Sequence, residues 1–515
     1  MFPDNHSDNS NDDPLSLQPQ IAATEYDESE VIVADLVSVR TPPLSMSGFI
    51  AWAFVIMLTL TLFGMVANTQ LFTAPPIGGD ATSADLLQIQ IQGKALVGQR
   101  RFLEAQGQEL PDNVKTVPKA LNTGSYEQRL CYAILVSEIE GPTGALEYLE
   151  TLDDSVIVSE FELTDDQRRI RNTILNLNQQ YEDGNFESDT IPAEDRELVE
   201  SRLDWLGRLA FLPPGTTNKA ERRAVDSEAT QFALISGFAI LAGLIFGLAG
   251  AALIVIFLVL LVNGKLMSGF VNRAYDHNIY IETFAVWMGL FFGSSLLMGV
   301  VGVEDPQWAM LIQLCVFFGS LIAIGWPVVR GIPFSQVRRD IGWTSEHIAK
   351  DAASAFPSYL ATLPLLIPGV ILASVLVTVI SGFYEPHEFA RQLTPSHPVQ
   401  DYIASGGATM ILLVFLTACV AAPVVEETFF RGVLYRHLRD CNASWQRWSS
   451  VLFAAVVNGL IFASIHPQGI YGIPVLAILA VGFSLAREWR GSLISCVVMH
   501  GVHNALITCV TLLIL

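Results

Sequence analysis

Nine stretches of this 515-residue chain are apolar over lengths close to the roughly 20 residues that a helix needs to cross the hydrocarbon core of a bilayer. They lie at 48–67, 232–262, 281–303, 307–328, 357–382, 406–428, 449–466, 469–486 and 493–515. Inside hydrocarbon the backbone N–H and C=O groups find no water, and an isolated run satisfies them by forming a helix. The chain is therefore expected to be all-α, a polytopic membrane helix bundle of about nine transmembrane helices. The run at 232–262 is longer than one perpendicular span requires and is interrupted by Gly237, Gly243 and Gly247; one long tilted helix is expected there, with a broken pair as the alternative.

The polar residues divide the rest. The net charge of −22 is uneven: residues 1–47 hold nine acids and one base, residues 71–230 hold 28 acids and 15 bases, and the remainder is nearly balanced. The expected organisation is a disordered acidic tail (1–47), a transmembrane anchor (48–67), a soluble helical domain (70–230), a long transmembrane helix and loop (232–279), and a membrane-embedded domain (280–515). Within the soluble part, apolar positions recur at helical spacing in 86–103, 126–152, 163–181 and 198–212, with breaks at Gly141-Pro142 and Pro213-Pro214-Gly215. It contains no catalytic cluster and is expected to bind a protein partner. Of the six cysteines only Cys131 lies in it, so no disulfide framework forms there. A polyanion lacking basic patches gives no surface for nucleic acid.

Basic residues recur on every second connection: Lys265 and Arg273; Arg330, Arg338, Arg339 and Lys350; Arg436, Arg439 and Arg447; Arg487 and Arg490. The intervening loops contain only Arg391. By the positive-inside rule the N-terminal tail is cytoplasmic, while the 70–230 domain and the C-terminus lie on the far side. The expected location is the bacterial cytoplasmic membrane, as an integral multi-pass protein in contact with the lipid bilayer.

Three polar clusters interrupt the last four apolar runs: Glu426, Glu427 and Arg431 in EETFFR; Phe462 and His466 in FASIH; His500 and Asn504 in HGVHN. Charged groups at membrane depth are expensive and usually face a protein interior, where they carry function. Glu427 and Arg431 are four residues apart and can pair on one helix face, which leaves Glu426 as the spare carboxylate. Phe462 with His466, and His500 with Asn504, have the same spacing and share a face in the same way. A carboxylate that takes a proton from water, with imidazole and carboxamide donors for the developing oxyanion, can hydrolyse an amide. Taken singly, each cluster has a structural reading: an ion pair at a helix end, a helix-end histidine, an asparagine joining two helices. His503 faces away from His500 and reads as a residue of that joining kind, and His437 and His397 read as loop residues without a partner.

EETFFR, FASIH and HGVHN resemble the EExxxR, FxxxH and HxxxN motifs of the CPBP family, the CAAX-protease and bacteriocin-processing membrane endopeptidases. The upstream segment GWPVVRGIPFSQVRRDIGW resembles that family's cytoplasmic loop, and the similarity covers residues 280–515. The resemblance implies an intramembrane endopeptidase acting on a protein or peptide substrate, membrane-anchored or prenylated. Glu426 helped by His466 would activate water, His500 and Asn504 would hold the oxyanion, and Glu427, Arg431 and Phe462 would support the site. A metal-free mechanism is the favoured reading. The alternatives are a zinc-dependent version, with Glu426, His466 and His500 as ligands, and a non-enzymatic scaffold or bacteriocin-immunity-type binder.

One geometric condition follows. The apolar boundaries put Glu426 and His500 near the cytoplasmic face and His466 at the far end of its helix, so the groups can meet only if the EETFFR helix continues to about Leu438 or the 449–486 hairpin is shallow and turns inside the protein; the 449–466 boundaries are expected to be wrong. His466 is then expected inside the protein, with Pro467–Pro474 forming a buried or shallow turn and Phe462 walling the cavity.

Overall fold

The computed structural model describes residues 44–71, 83–122, 124–158, 162–187, 190–266, 268–271, 278–303, 305–344, 346–381 and 407–514. The acidic tail, the 383–405 loop with Arg391 and His397, and Arg273 lie outside the described residues. Among those described there is no strand, and the protein is an all-α, integral multi-pass membrane protein.

The first apolar run is α1 (Met46–Leu71). Five helices follow: α2 (Ser83–Ala105), α3 (Tyr126–Ile139), α4 (Pro142–Val158), α5 (Asp165–Glu182) and α6 (Ala193–Ala210). Their starts are written locally. Ser125 with Gln128, and Thr164 with Gln167, form reciprocal capping boxes at α3 and α5. Leu130, Cys131, Ile134, Leu149, Ile174, Leu203, Trp205 and Leu206 fill a common core. Burial pushes the Cys131 thiol well above its ordinary value, so it is an inert packing group.

The next helix, α7 (Lys219–Val262), is 44 residues long, about 66 Å at 1.5 Å per residue. The boundary expected at residues 230–232 therefore falls inside one helix. Hydropathy marks only its lipid-exposed part; the first three turns are charged and belong to the soluble core, where Val225 and Ala229 are buried. Arg222 there pairs with Glu138 at 2.6 Å and with Asp226 at 3.0 Å, and Arg101 of α2 reaches the same Glu138 at 2.6 Å.

The remaining helices are α8 (Asn278–Val301), α9 (Pro306–Val329), α10 (Phe334–Ile341), α11 (Ile348–Ile380), α12 (Ala408–Cys441), α13 (Arg447–Ser464), α14 (Gly469–Arg490) and α15 (Ile494–Ile514). With α1 and α7, and leaving out the short α10, nine described helices are long and apolar enough to span. The helix α7 crosses α11 at Gly250, where a Cβ would stand 2.0 Å from the Leu360 carbonyl oxygen and 2.8 Å from Pro364. Because backbone cannot yield as a side chain can, Gly250→Val should force the helices apart at a cost of about 1–3 kcal/mol. Thermal unfolding of the purified protein checks this; an unchanged midpoint would refute the close crossing.

At one end of the bundle the helix termini are knotted by ionic contacts. Glu488 accepts from Tyr435 at 3.0 Å and from both Nε and Nη2 of Arg439 at 3.1 Å, Arg436 donates to Asp440 at 2.9 Å, and Arg490 pairs with Asp351 at 2.6 Å. Arg436, Arg439 and Arg487 are buried, not loop residues in solvent. The end of α7 joins this cluster through Phe257, whose ring meets Trp489 at 5.1 Å, and through Gly269, whose N–H donates to the Glu488 carbonyl. Since α7 begins in the soluble core and finishes at the arginine end, the soluble domain stands at the other end of the bundle.

Candidate active site

The apolar run expected to stop at residue 428 is part of a 34-residue helix, α12, that continues to Cys441. Hydropathy fell at EETFFR, yet every residue from Glu427 to Asp440 is buried in protein, so the charges mark an interior instead of an exit. Two wide π turns interrupt α12, at Thr417–Ala421 and Thr428–Leu434. The first precedes Pro423, which has no N–H to give to the turn before it. In such segments the freed carbonyls need other donors. Asn504 supplies one, its Nδ2 donating to the Ala418 oxygen at 2.7 Å.

Glu426 sits in the middle of α12, 15 residues or about 22 Å from Cys441. The following helix, α13, returns from Arg447 for 18 residues and ends level with it. This is how His466 meets Glu426: the EETFFR helix continues to Cys441, whereas the 449–466 boundaries, expected to be wrong, hold to within two residues. The turn after α13 is short, residues 465–468; residues 469–474, expected as part of that turn, are already helical, with Pro474 inside α14. His466 is partly buried, its side chain 18% exposed, and Glu426 beside it is 15% exposed.

Glu426 Oε2 stands 3.7 Å from His466 Nε2 and 3.9 Å from His500 Nε2. Both imidazoles are held from behind. His466 Nδ1 donates to the Phe462 carbonyl at 2.5 Å, and His500 Nδ1 donates to Glu427 Oε1 at 2.9 Å. Glu427 Oε1 also accepts from Arg431 Nη1 at 3.0 Å, and neither side chain of that pair has any exposed surface. A carbonyl or an ion-paired carboxylate can only accept, so each Nδ1 carries a proton. The Nε2 atom of each ring then faces Glu426.

Aromatic rings brace these groups. Arg431 lies 4.6 Å from the Phe462 ring and 5.2 Å from that of Phe483, and its Nη2 donates to the Ala480 carbonyl at 3.2 Å. Phe462 packs 4.1 Å from the His466 ring, and Phe483 stacks on His500 at 5.3 Å. Asn458 of α13 donates to the Phe430 carbonyl at 2.7 Å, within the second π turn. Phe483 and Asn458 carry no sequence signal: a Phe in an apolar run and a lone Asn look like ordinary core and helix-joining residues.

The structure thus brings Glu426, His466 and His500 to one point, with Glu427, Arg431 and Phe462 around it. Asn504 lies one turn beyond His500, with one N–H committed to Ala418. His503 faces away and bonds to Tyr359 at 3.0 Å, the helix-joining role expected of it. His437 is not a loop residue without a partner: it is buried in α12 and accepts from Trp52 Nε1 of α1 at 2.9 Å.

Two imidazoles with protonated Nδ1 atoms and a carboxylate are donors that zinc accepts. Among the described residues, however, no three His, Cys, Asp or Glu side chains are disposed to hold an ion.

Residues 408–506 match the family model described as Rce1-like, type II CAAX prenyl endopeptidase. The matched segment, α12 to the middle of α15, contains all three polar clusters and is similar to a protease domain of the hydrolase class. The chain is 30% identical over 92 residues to an uncharacterized 24.3 kDa protein of Escherichia coli; the alignment takes in 18% of this chain and 40% of that relative's length. No solved structure gives a significant match.

Proposed function

We propose that the protein is an intramembrane endopeptidase in which Glu426 activates water for attack on a peptide bond. The observation that carries this reading is the meeting of Glu426 Oε2 with two imidazole Nε2 atoms at 3.7 and 3.9 Å. A water at this point can donate one O–H to Glu426 Oε2 and the other to an unprotonated His466 Nε2. Glu426 takes a proton as the water oxygen bonds to the carbonyl carbon. The same proton passes to the amine nitrogen as the C–N bond breaks. His466, fixed by Phe462, orients the water through Nε2.

The oxyanion needs donors. Asn504 retains a second N–H. His500, whose Nδ1–H is committed to Glu427, can donate from Nε2 only as imidazolium, and the Glu427 carboxylate, shared with Arg431, is its counter-charge. On this reading Glu427 does more than brace Arg431: it sets the tautomer and the charge of the ring that meets the substrate.

The substrate is a protein or peptide, prenylated or not. Comparison of protein termini in cells carrying the wild-type chain and the Glu426→Ala variant identifies it: peptides ending at a shared cleavage position are expected in the first and not in the second, and identical termini would refute the activity. Cleavage by purified protein should survive strong chelation. Metal analysis is expected to find well below one equivalent of zinc; a stoichiometric ion whose removal abolishes cleavage would transfer the reaction to a zinc site at Glu426, His466 and His500.

A further inference from the structure

Glu426 and Glu427 end the α-helical segment Ala422–Glu427, which lies between the two wide turns of α12. A wide turn is a rare backbone state, found as single interruptions of α-helices and often where a helix carries function. Each of these two receives a carboxamide from a neighbouring helix. For the first the reason is local. At the five-residue step of a wide turn the Ala418 carbonyl would accept from Pro423, which has no N–H, and Asn504 supplies the missing donor. The second has no such gap. Its Phe430 carbonyl already accepts from the Tyr435 N–H, five residues on, and Asn458 of α13 donates to the same oxygen at 2.7 Å. Both lone pairs of that carbonyl are then used.

Asn458 is thus not needed to satisfy the backbone, and its other end is left unpaired. The residue is fully buried, and its Oδ1 has no hydrogen-bond partner among the described residues, a penalty that an apolar side chain of similar shape would avoid. What the carboxamide holds is the peptide unit between Phe430 and Arg431. Arg431 Nη1 donates to Glu427 Oε1 at 3.0 Å, and His500 Nδ1 donates to the same oxygen at 2.9 Å. The mount is rigid: on the residue next to Asn458, a Cβ added to Gly459 would stand 2.7 Å from the Ala477 carbonyl oxygen, so α13 is pressed against α14 there. Asn458, Phe462 and His466 are spaced four apart and share one face of α13.

We infer that Asn458 is a positioning residue of the protease: by pinning the Phe430–Arg431 peptide it fixes Arg431, and through Arg431 and Glu427 it fixes the imidazole of His500 toward Glu426. This deepens the protease reading and rests on it. Asn458 acts through the ion pair behind the site and not on the substrate.

Two readouts on the purified full-length chain test this, one kinetic and one independent of cleavage. Asn458→Leu keeps a branched side chain without the donor, and Asn458→Ala cannot overpack. Well below the unfolding midpoint, kcat is expected to fall about 10- to 100-fold in both, the scale of a small misplacement at the reacting centre, with KM within about twofold of the wild type. In Asn458→Leu the midpoint should equal or exceed that of the wild type, because an unpaired oxygen has left the core. In protein carrying isotopically labelled histidine, the Nδ1–H resonance of His500 is identified by its absence from His500→Gln. Its exchange with water should be about tenfold faster or more in Asn458→Leu, as local opening becomes easier. The inference is overturned if kcat stays within about twofold of the wild type in both variants, if the loss of activity merely follows a lowered midpoint, or if the resonance exchanges as in the wild type. The protease reading fails separately, if Glu426→Ala still cleaves, and the resonance then still decides whether Asn458 holds His500.

Discussion

Replacing Glu426 by alanine is expected to lower the cleavage rate by about 10³-fold, within the range that a positioned general base supplies. The fold should survive it. Glu426 holds no backbone group and no full ion pair: its near neighbours are the two Nε2 atoms at 3.7 and 3.9 Å, and the rings behind them are anchored independently by Phe462 and Glu427. The thermal midpoint of the variant should therefore stay within a few degrees of the wild type. Glu426→Gln, which keeps the shape but cannot take a proton, should be as inactive as the alanine variant. Rapid cleavage by either would remove the carboxylate from the mechanism and restore the scaffold reading.

Its neighbour should behave in the opposite way. Glu427 is wholly buried and accepts from Arg431 and His500 at once. Glu427→Ala leaves a guanidinium with no exposed surface and no carboxylate, and losses on breaking one side of a buried pair run to about 3–5 kcal/mol. A large fall in the unfolding midpoint, with loss of cleavage, is expected. Removing both charges separates the two effects. In the double variant Glu427→Leu/Arg431→Met, apolar groups of similar volume fill the space, and stability should largely return. Activity should not, because His500 Nδ1 has lost its acceptor. Restored cleavage in the double variant would show that Glu427 serves packing alone.

The motif residues were legible because their spacing survives folding: four apart on a helix means one face, and the three faces do meet. The depth of the site was not legible. Hydropathy treats Glu426, Glu427 and Arg431 as a departure from the membrane, although Glu427 and Arg431 pair with each other inside the protein and Glu426 faces His466 and His500. The same limit hid Arg436, Arg439 and Arg487, whose partners Asp340, Asp440 and Glu488 are mostly remote in sequence. The start of α7 was hidden for a related reason. Its first turns are charged because they pack in the soluble core with Glu138, and only their continuation is apolar. Chain reversals were easier to place, since Gly-Pro and Pro-Pro-Gly act through local backbone geometry.

The uninterrupted run of α7 has a mechanical consequence. A strut of about 66 Å passes through a hydrocarbon layer of about 30 Å. It contains no proline and no break at which the projecting part could swivel on its own. A change of 10° in its tilt would carry the far tip sideways by about 12 Å, at 1.5 Å of length per residue. Tilt is the cheapest response of a long helix to a thinner or thicker bilayer. The helical domain is thus mounted like the pointer of a gauge, and small adjustments among the lipids become large displacements of its far tip.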